Sequence, residues 1–228
     1  MISLGDDIWS VPLPFSLAGC RIGTRTTVVR VDGKLLLISP GPLRENDVAI
    51  IRELGEVTTL LAPNKMHHLY INDAIKQFPQ AEVLLAPGLP EKRPDLAQHS
   101  VLPRCLEAWN LQQQFVRGMP DLNETAFFHR PSKSLILTDL AFHFPRHAHL
   151  PTRLALRLNG ALGRFGPTRL LKYVFLKNRK LFDEDLAKIM EWPIEKIVVG
   201  HGEEVLENGS IRMREAFSSP KSETPQKA

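Results

Sequence analysis

The sequence predicts a layered α+β domain in which helices cover sheets. Three observations carry that reading. Short apolar runs punctuated by turn residues fill the first ~60 positions, helical spacing dominates from Thr152 to Met190, and strand and helix patterns recur in both halves of the chain. With 228 residues the chain has room for one sizeable domain and is short for two. That domain is expected over residues 1–217, followed by a disordered tail over 218–228, where SSPKSETPQKA offers Ser, Pro and Lys without apolar periodicity.

Each element has its own local reason. TTVVRV and KLLLIS flank Asp32-Gly33, so they read as a hairpin in which Gly33 supplies positive φ. The second strand stops at Ser39-Pro40-Gly41-Pro42, since two prolines cannot continue a ladder. RENDVAIIREL then carries apolar residues at helical spacing, with Asn46 or Asp47 near its start to cap it. VTTLLAP is apolar on both faces, which fits a buried strand ended by Pro63. His67 and His68 fall in the loop beyond, IKQFPQ closes another helix, and AEVLLAPG repeats the pattern of strand then Pro-Gly. Residues 89–118 lack periodicity and read as loop with a little extended structure. TAFFHR and KSLILTDLAF are two more strands. A helical insert near residues 152–190 follows, broken at Gly163 and Gly166-Pro167, with FDEDLAKIMEW as its last helix and Asp183 as the cap. KIVVG is the final strand, running into His201-Gly202-Glu203 and a closing helix.

Composition excludes several classes. Hydrophobic residues at 43% and charged residues at 24% support a packed core rather than a disordered chain. Cys20 and Cys105 are far apart and form no C-x-x-C pair, which argues against a disulfide framework or a zinc ribbon. The start MISLGDDIWSVPLPF has no apolar signal core, and no apolar run reaches the ~18 residues of a spanning helix, so a soluble, cytoplasmic protein is expected. Net charge is +4, yet Leu140 to Phe182 contains no Asp or Glu while Arg146, Arg153, Arg157, Arg164, Arg169, Lys172 and Lys177 fall inside it. Residues 146–180 are therefore expected to meet an anionic partner or membrane surface; LALRLNGALGRF mixes apolar and basic residues as an interfacial helix does. No specific nucleic-acid recognition is expected, and no phosphate loop or dinucleotide fingerprint is present.

Chemistry-bearing residues recur at one kind of position. His67 and His68 follow one strand, His129 ends a second, Asp139 ends a third and His201 follows a fourth. Loops that leave a layered sheet at one edge converge, and His and Asp are ligand types for Zn, Fe or Mn. His143, His147 and His149 lack a rigid ligand spacing and read as a solvated loop, while Ser132 and Ser134 read as turn serines.

GKLLLISPG, LLAPNKMHH, FFHRPSKSLILTDL and WPIEKIVVGHGEE together resemble the metallo-β-lactamase superfamily over roughly residues 8–215, as a branch with a degenerate first metal motif. That resemblance implies an αββα sandwich with a metal site at one edge of two sheets. It sets Ser39-Pro40-Gly41 in the place of Asp-x-Gly, and Pro63 and Lys65 in the places of the first two histidines of H-x-H-x-D-H. His67 then replaces the aspartate and His68 matches the last histidine, while His129 corresponds to the later first-site histidine, Asp139 to the bridging aspartate and His201 to the second-site histidine. Neither proline nor a protonated lysine can ligate. The resemblance thus implies one divalent metal, Zn first and Fe or Mn as alternatives, held by His68, Asp139 and His201 with His67 as an extra donor, while His129 is what remains of the first site; all five are candidate metal ligands. Asn64 and Lys65 are expected to donate hydrogen bonds to substrate or hydroxide, beside a catalytic Asp139. The implied activity is hydrolysis of a small or anionic substrate, an ester, thioester, lactone or phosphoester, by one metal-bound water. The alternative is a non-catalytic scaffold of the same fold, with metal weakened or lost and the basic insert engaging its partner.

Overall fold

The structure, a computed structural model, describes residues 1–217. The predicted tail at 218–228 lies outside the described residues. Two sheets stack face to face. The larger runs β1 (Ile2–Gly5), β2 (Ile8–Leu13), β3 (Thr24–Val31), β4 (Lys34–Ile38), β5 (Glu56–Ala62), β6 (Glu82–Leu85) and β7 (Ser100–Val101), in that spatial order. The smaller runs β8 (Leu111–Phe115), β9 (Thr125–His129), β10 (Ser134–Ile136) and β11 (Lys196–Val198). The main helices are α1 (Glu45–Leu54), α2 (Ile71–Gln77), α3 (Leu150–Leu158), α4 (Arg179–Met190) and α5 (Gly209–Phe217).

The period-two alternation of strand side chains makes four layers. Along β4, Leu35 and Leu37 face a core shared with Val48 and Ile51 of α1 and Ile71 and Ala74 of α2. Leu36 and Ile38 face the opposite way, into the core between the sheets with Phe127, Ile136 and Val198. On the far side, Phe128, Leu135 and Ile197 pack against Phe182, Leu186 and Ile189 of α4 and Met213 of α5. Helix, sheet, sheet, helix is the order the resemblance implies.

Local predictions meet particular outcomes. The β3–β4 hairpin turns through Asp32 and Gly33, both at positive φ (50° and 75°), a combination that suits the strands' twist. α1 begins at Arg44, with the Asp47 carboxylate accepting from its backbone N–H at 3.0 Å. α4 begins earlier than expected: Asn178, not Asp183, is its cap, accepting from Leu181 N at 3.1 Å, and Asp183 instead pairs with Arg179 one turn back. The span 89–118 is more ordered than its sequence suggests, because β8 is an edge strand whose polar LQQQF pairs only with β9. The insert is less helical than expected: α3 is followed by a two-residue strand, Phe165–Gly166, and a single π turn, Leu171–Phe175, before α4. Among the described residues no helix is long and apolar enough to cross a membrane.

Candidate metal centre

Strand direction decides which residues share an edge. β4 and β5 run parallel, so Ser39 and the turn Pro63–His68 leave the large sheet together, with Ser39 N donating to Leu61 O at 2.8 Å. β10 and β11 are also parallel, so Asp139 and His201 leave the small sheet together. The two rims are stitched by Thr125 N donating to Pro63 O (3.0 Å) and Lys65 N to Leu122 O (2.8 Å).

At this joint rim His67, Asp139 and His201 offer ligand atoms that all lie within 4.8 Å of one another. His67 Nε2 is 3.4 Å from Asp139 Oδ2, and His201 Nε2 is 3.5 Å from Asp139 Oδ1. Each imidazole is held from behind. His201 Nδ1–H donates to the Gly23 carbonyl at 2.6 Å, which aims Nε2 at the cluster; His67 Nδ1 is 2.6 Å from Ser39 Oγ. Two glycines frame His201. A Cβ on Gly200 would stand 2.8 Å from the His67 ring, and one on Gly202, at φ 96°, would overlap the His143 carbonyl. Buried Arg25 fixes the same loop by donating to Val199 O (2.8 Å) and Gly202 O (2.9 Å).

Beneath the cluster lies Glu124, fully buried. Its carboxylate accepts from the backbone N–H groups of Thr138 (2.7 Å), Asp139 (2.7 Å) and Leu140 (3.1 Å), and so shapes the turn that presents Asp139. Asn64, also fully buried, is its partner. The Asn64 amide faces Glu124 (3.1 Å), Thr138 Oγ1 (3.0 Å) and Asp139 Oδ2 (2.8 Å), while its oxygen accepts from the N–H groups of Met66 (2.8 Å) and His67 (2.7 Å).

Electrostatics follow from this packing. Burial alone would raise the Asp139 carboxyl, but the facing His67 and His201 imidazoles outweigh it and hold the group well below the ordinary carboxylate range. Burial likewise acts to lower His67, and the charges of Asp139 and Glu124 reverse the balance and raise it. Glu124 itself is raised, first by burial and then by Asp139. The field at the cluster therefore favours positive charge.

Several expected residues are placed elsewhere. His129, at the end of β9, stands at the opposite edge of the small sheet. Its Nδ1 is 2.8 Å from Ser132 Oγ, and it does not join the cluster. His68 lines the cavity described below, but its Nδ1 takes a hydrogen bond from Arg93 Nη1 at 2.8 Å, and burial, then Lys92 and Arg93, push its imidazole down to about 4. Lys65 Nζ donates to Pro120 O at 3.0 Å on the surface. Asn64 is enclosed by protein partners, so its amide orients Asp139 and His67 instead of reaching a substrate. Glu124 is the functional residue the sequence reading missed; its signal is a lone carboxylate directly before the apolar run TAFFH.

The cluster opens into a cavity of about 500 Å³, within the ordinary range for small-molecule sites of roughly 300–1,000 Å³. Its walls are largely apolar, including Phe15, Ile22, Tyr70, Phe142, Leu156 and Phe175, and exposed Lys92 and buried His68 also line it. Phe142 packs edge-on against the His201 ring at 4.8 Å.

An αββα sandwich with a polar cluster where the two rims meet defines the architecture, and solved structures share it: the chain has the metallo-β-lactamase fold. A metallo-β-lactamase from Hirschia baltica superposes with a TM-score of 0.66 at 10% identity over 93% of each chain. A metallo-β-lactamase from Pontibacter korlensis superposes with a TM-score of 0.63 at 11% identity, over 92% of this chain and 93% of that one. A metallo-β-lactamase family protein from Thermus thermophilus gives 0.59 at 13% identity, over 93% and 79%. No protein-family model and no curated protein matches the sequence.

The donor set fits one divalent cation. Two imidazole nitrogens and a carboxylate, facing a cavity, are what a three-ligand site with an open position requires. It does not fit a second at the first-motif positions, where Pro63 has no donor and the Lys65 ammonium is turned to a surface carbonyl.

Proposed function

We propose that the protein is a metal-dependent hydrolase with one cation held by His67, Asp139 and His201. The observation that carries this reading is the convergence of those three side chains, drawn from three separate segments, within 4.8 Å at the inner end of a cavity. A divalent cation in that position supplies Lewis acidity toward a carbonyl or phosphoryl oxygen and acidifies water. Ser39 and the Gly23 carbonyl orient the two imidazoles, and Asn64 and Glu124 fix the carboxylate between them. The apolar walls exclude water and suit a substrate with an apolar portion beside its ester, thioester, lactone or phosphoester bond, and Lys92 supplies positive charge for an anionic group at the mouth. Zn, Fe and Mn all suit mixed nitrogen and oxygen ligation, with Zn the first choice.

Elemental analysis of protein purified without chelator or affinity tag tests the reading. About one metal per chain is expected, with loss in Asp139→Ala and His201→Ala at unchanged circular dichroism. Metal-free wild-type protein, or full occupancy in both variants, would overturn it.

One observation favours a second reading, a metal-free scaffold. The Asn64 amide already donates to Asp139 at 2.8 Å and both imidazoles lie at ion-pair distance from the same carboxylate, so protonated rings balance its charge without a cation. Protein that stays metal-free after incubation with Zn, Fe and Mn would support it.

A further inference from the structure

Most of the exposed large apolar side chains gather round the mouth of the cavity. α3 crosses that mouth with Ala155, Leu156 and Asn159 on its walls, and its outward face carries Leu150, Leu154 and Leu158, each 60–64% exposed at successive turns. A surface helix ordinarily keeps that face polar. The π turn beyond it adds Tyr173, 80% exposed, and Val174, with Leu170 on the cavity lip. Exposed Leu17, Met66 and Leu69 also line the cavity. Exposed cations are interleaved with these residues: Arg153 and Arg157 on α3, then Arg164, Arg169, Lys172 and Lys177. No acidic residue interrupts them between Leu140 and Phe182.

We propose that this face docks on an anionic lipid bilayer, with the leucines and Tyr173 entering the headgroup boundary and the arginines and lysines lying on the lipid phosphates, so that the cavity opens directly onto the membrane. The choice of a bilayer over a protein partner comes from charge and shape together. A convex helix face that interleaves exposed apolar residues with cations matches an interface that is hydrocarbon within and anionic at its surface. Docking also gives the apolar cavity a source of amphiphilic ligands. That consequence rests on the hydrolase reading, whereas the docking does not.

Co-sedimentation of the full chain with vesicles of phosphatidylcholine alone, and of phosphatidylcholine with phosphatidylglycerol, decides the matter. Binding to the anionic vesicles is expected to exceed that to neutral ones by at least ~10-fold and to weaken as salt rises, since each cation at the surface is worth about 1 kcal/mol, or roughly fivefold. Leu154→Glu and Tyr173→Glu, both at exposed positions, should each cut the anionic binding several-fold at an unchanged melting temperature. Absence of binding, or equal partitioning onto both vesicle types, overturns the proposal. So does a wild-type dimer that Leu154→Glu disperses, which would assign the face to a second copy of the chain. Metal content is measured separately, so failure here leaves the metal centre standing.

Discussion

His129 and His201 both come at the end of an apolar strand in the small sheet, yet β9 runs antiparallel to β10 while β11 runs parallel to it, and the two side chains reach opposite edges. At the rim shared with the large sheet, His201 meets His67 and Asp139. At the other edge, four residues or about 13 Å along β9, His129 meets the hydroxyl of Ser132, itself bonded to that of Ser134. There its Nε2 is buried without a partner among the described residues, and burial pushes the imidazole down to about 4. One edge gathers carboxylates and favours positive charge; the other keeps its histidine neutral. For an antiparallel strand the residue that belongs to the rim is the one before it, which is why Glu124, and not His129, sits under the cluster.

The largest expected effect tests that assignment of Glu124. Glu124→Ala leaves three backbone N–H groups short of an acceptor in the interior, while the Asn64 amide keeps Thr138 and Asp139, a loss of about 3–5 kcal/mol in a urea melt. Glu124→Gln is nearly isosteric but turns an NH2 toward one of those N–H groups, and should cost about 1–3 kcal/mol. It should also weaken metal binding by ~10–100-fold, as an outer-shell change does. A Gln variant as stable and as metal-replete as wild type would show that the carboxylate does not organise the rim.

Much of this was legible in the chain itself. Runs such as KLLLIS and VTTLLA announce strands because the large sheet's central members are buried on both faces, and the joint position of His67, Asp139 and His201 after strands pointed to one edge. Pairing direction was not legible, since TAFFH reads alike whether its neighbour runs with it or against it; that is how His129 came to be expected at the rim. β8 was hidden because an edge strand can be polar, as LQQQF is. That His67, and not the expected His68, joins Asp139 and His201 was hidden too. It turns on the Asn64 oxygen, which by taking the N–H groups of Met66 and His67 winds the chain so that His67 points inward and His68 toward Arg93.

That winding supplies the next experiment. His67→Ala removes a cluster donor and should lower metal affinity by at least ~100-fold, beyond the range of an outer-shell change. His68→Ala, one residue on, removes an imidazole already occupied by Arg93 and should change affinity less than ~10-fold. Titration of each metal-free variant with Zn in a chelator-buffered assay compares them directly. The reverse order would mean that His68 turns into the cluster when a cation arrives, and the division between the two neighbours would be lost.

The smallest expected effect lies at the far edge. His129 has a folded value of about 4 against an unfolded one near ~6.5, so the fold prefers the neutral ring. The unfolded chain therefore takes up the proton first. The contribution of His129 is fully present above pH ~6.5 and drains away as pH falls toward 4, with a ceiling of about 3 kcal/mol. His68, pushed down to about 4 as well, acts in the same direction over the same window. His129→Leu should therefore flatten, but not abolish, the loss of stability between pH 7 and pH 4.5 in urea melts, recovering about 1–3 kcal/mol at the acid end. Ser132 Oγ keeps Ser134 as a partner in the variant, so stability at pH 7 should change little. Metal content should not change at all, because this edge contributes nothing to the cluster; a variant that loses metal, or keeps the wild-type pH slope, would erase the distinction between the two edges.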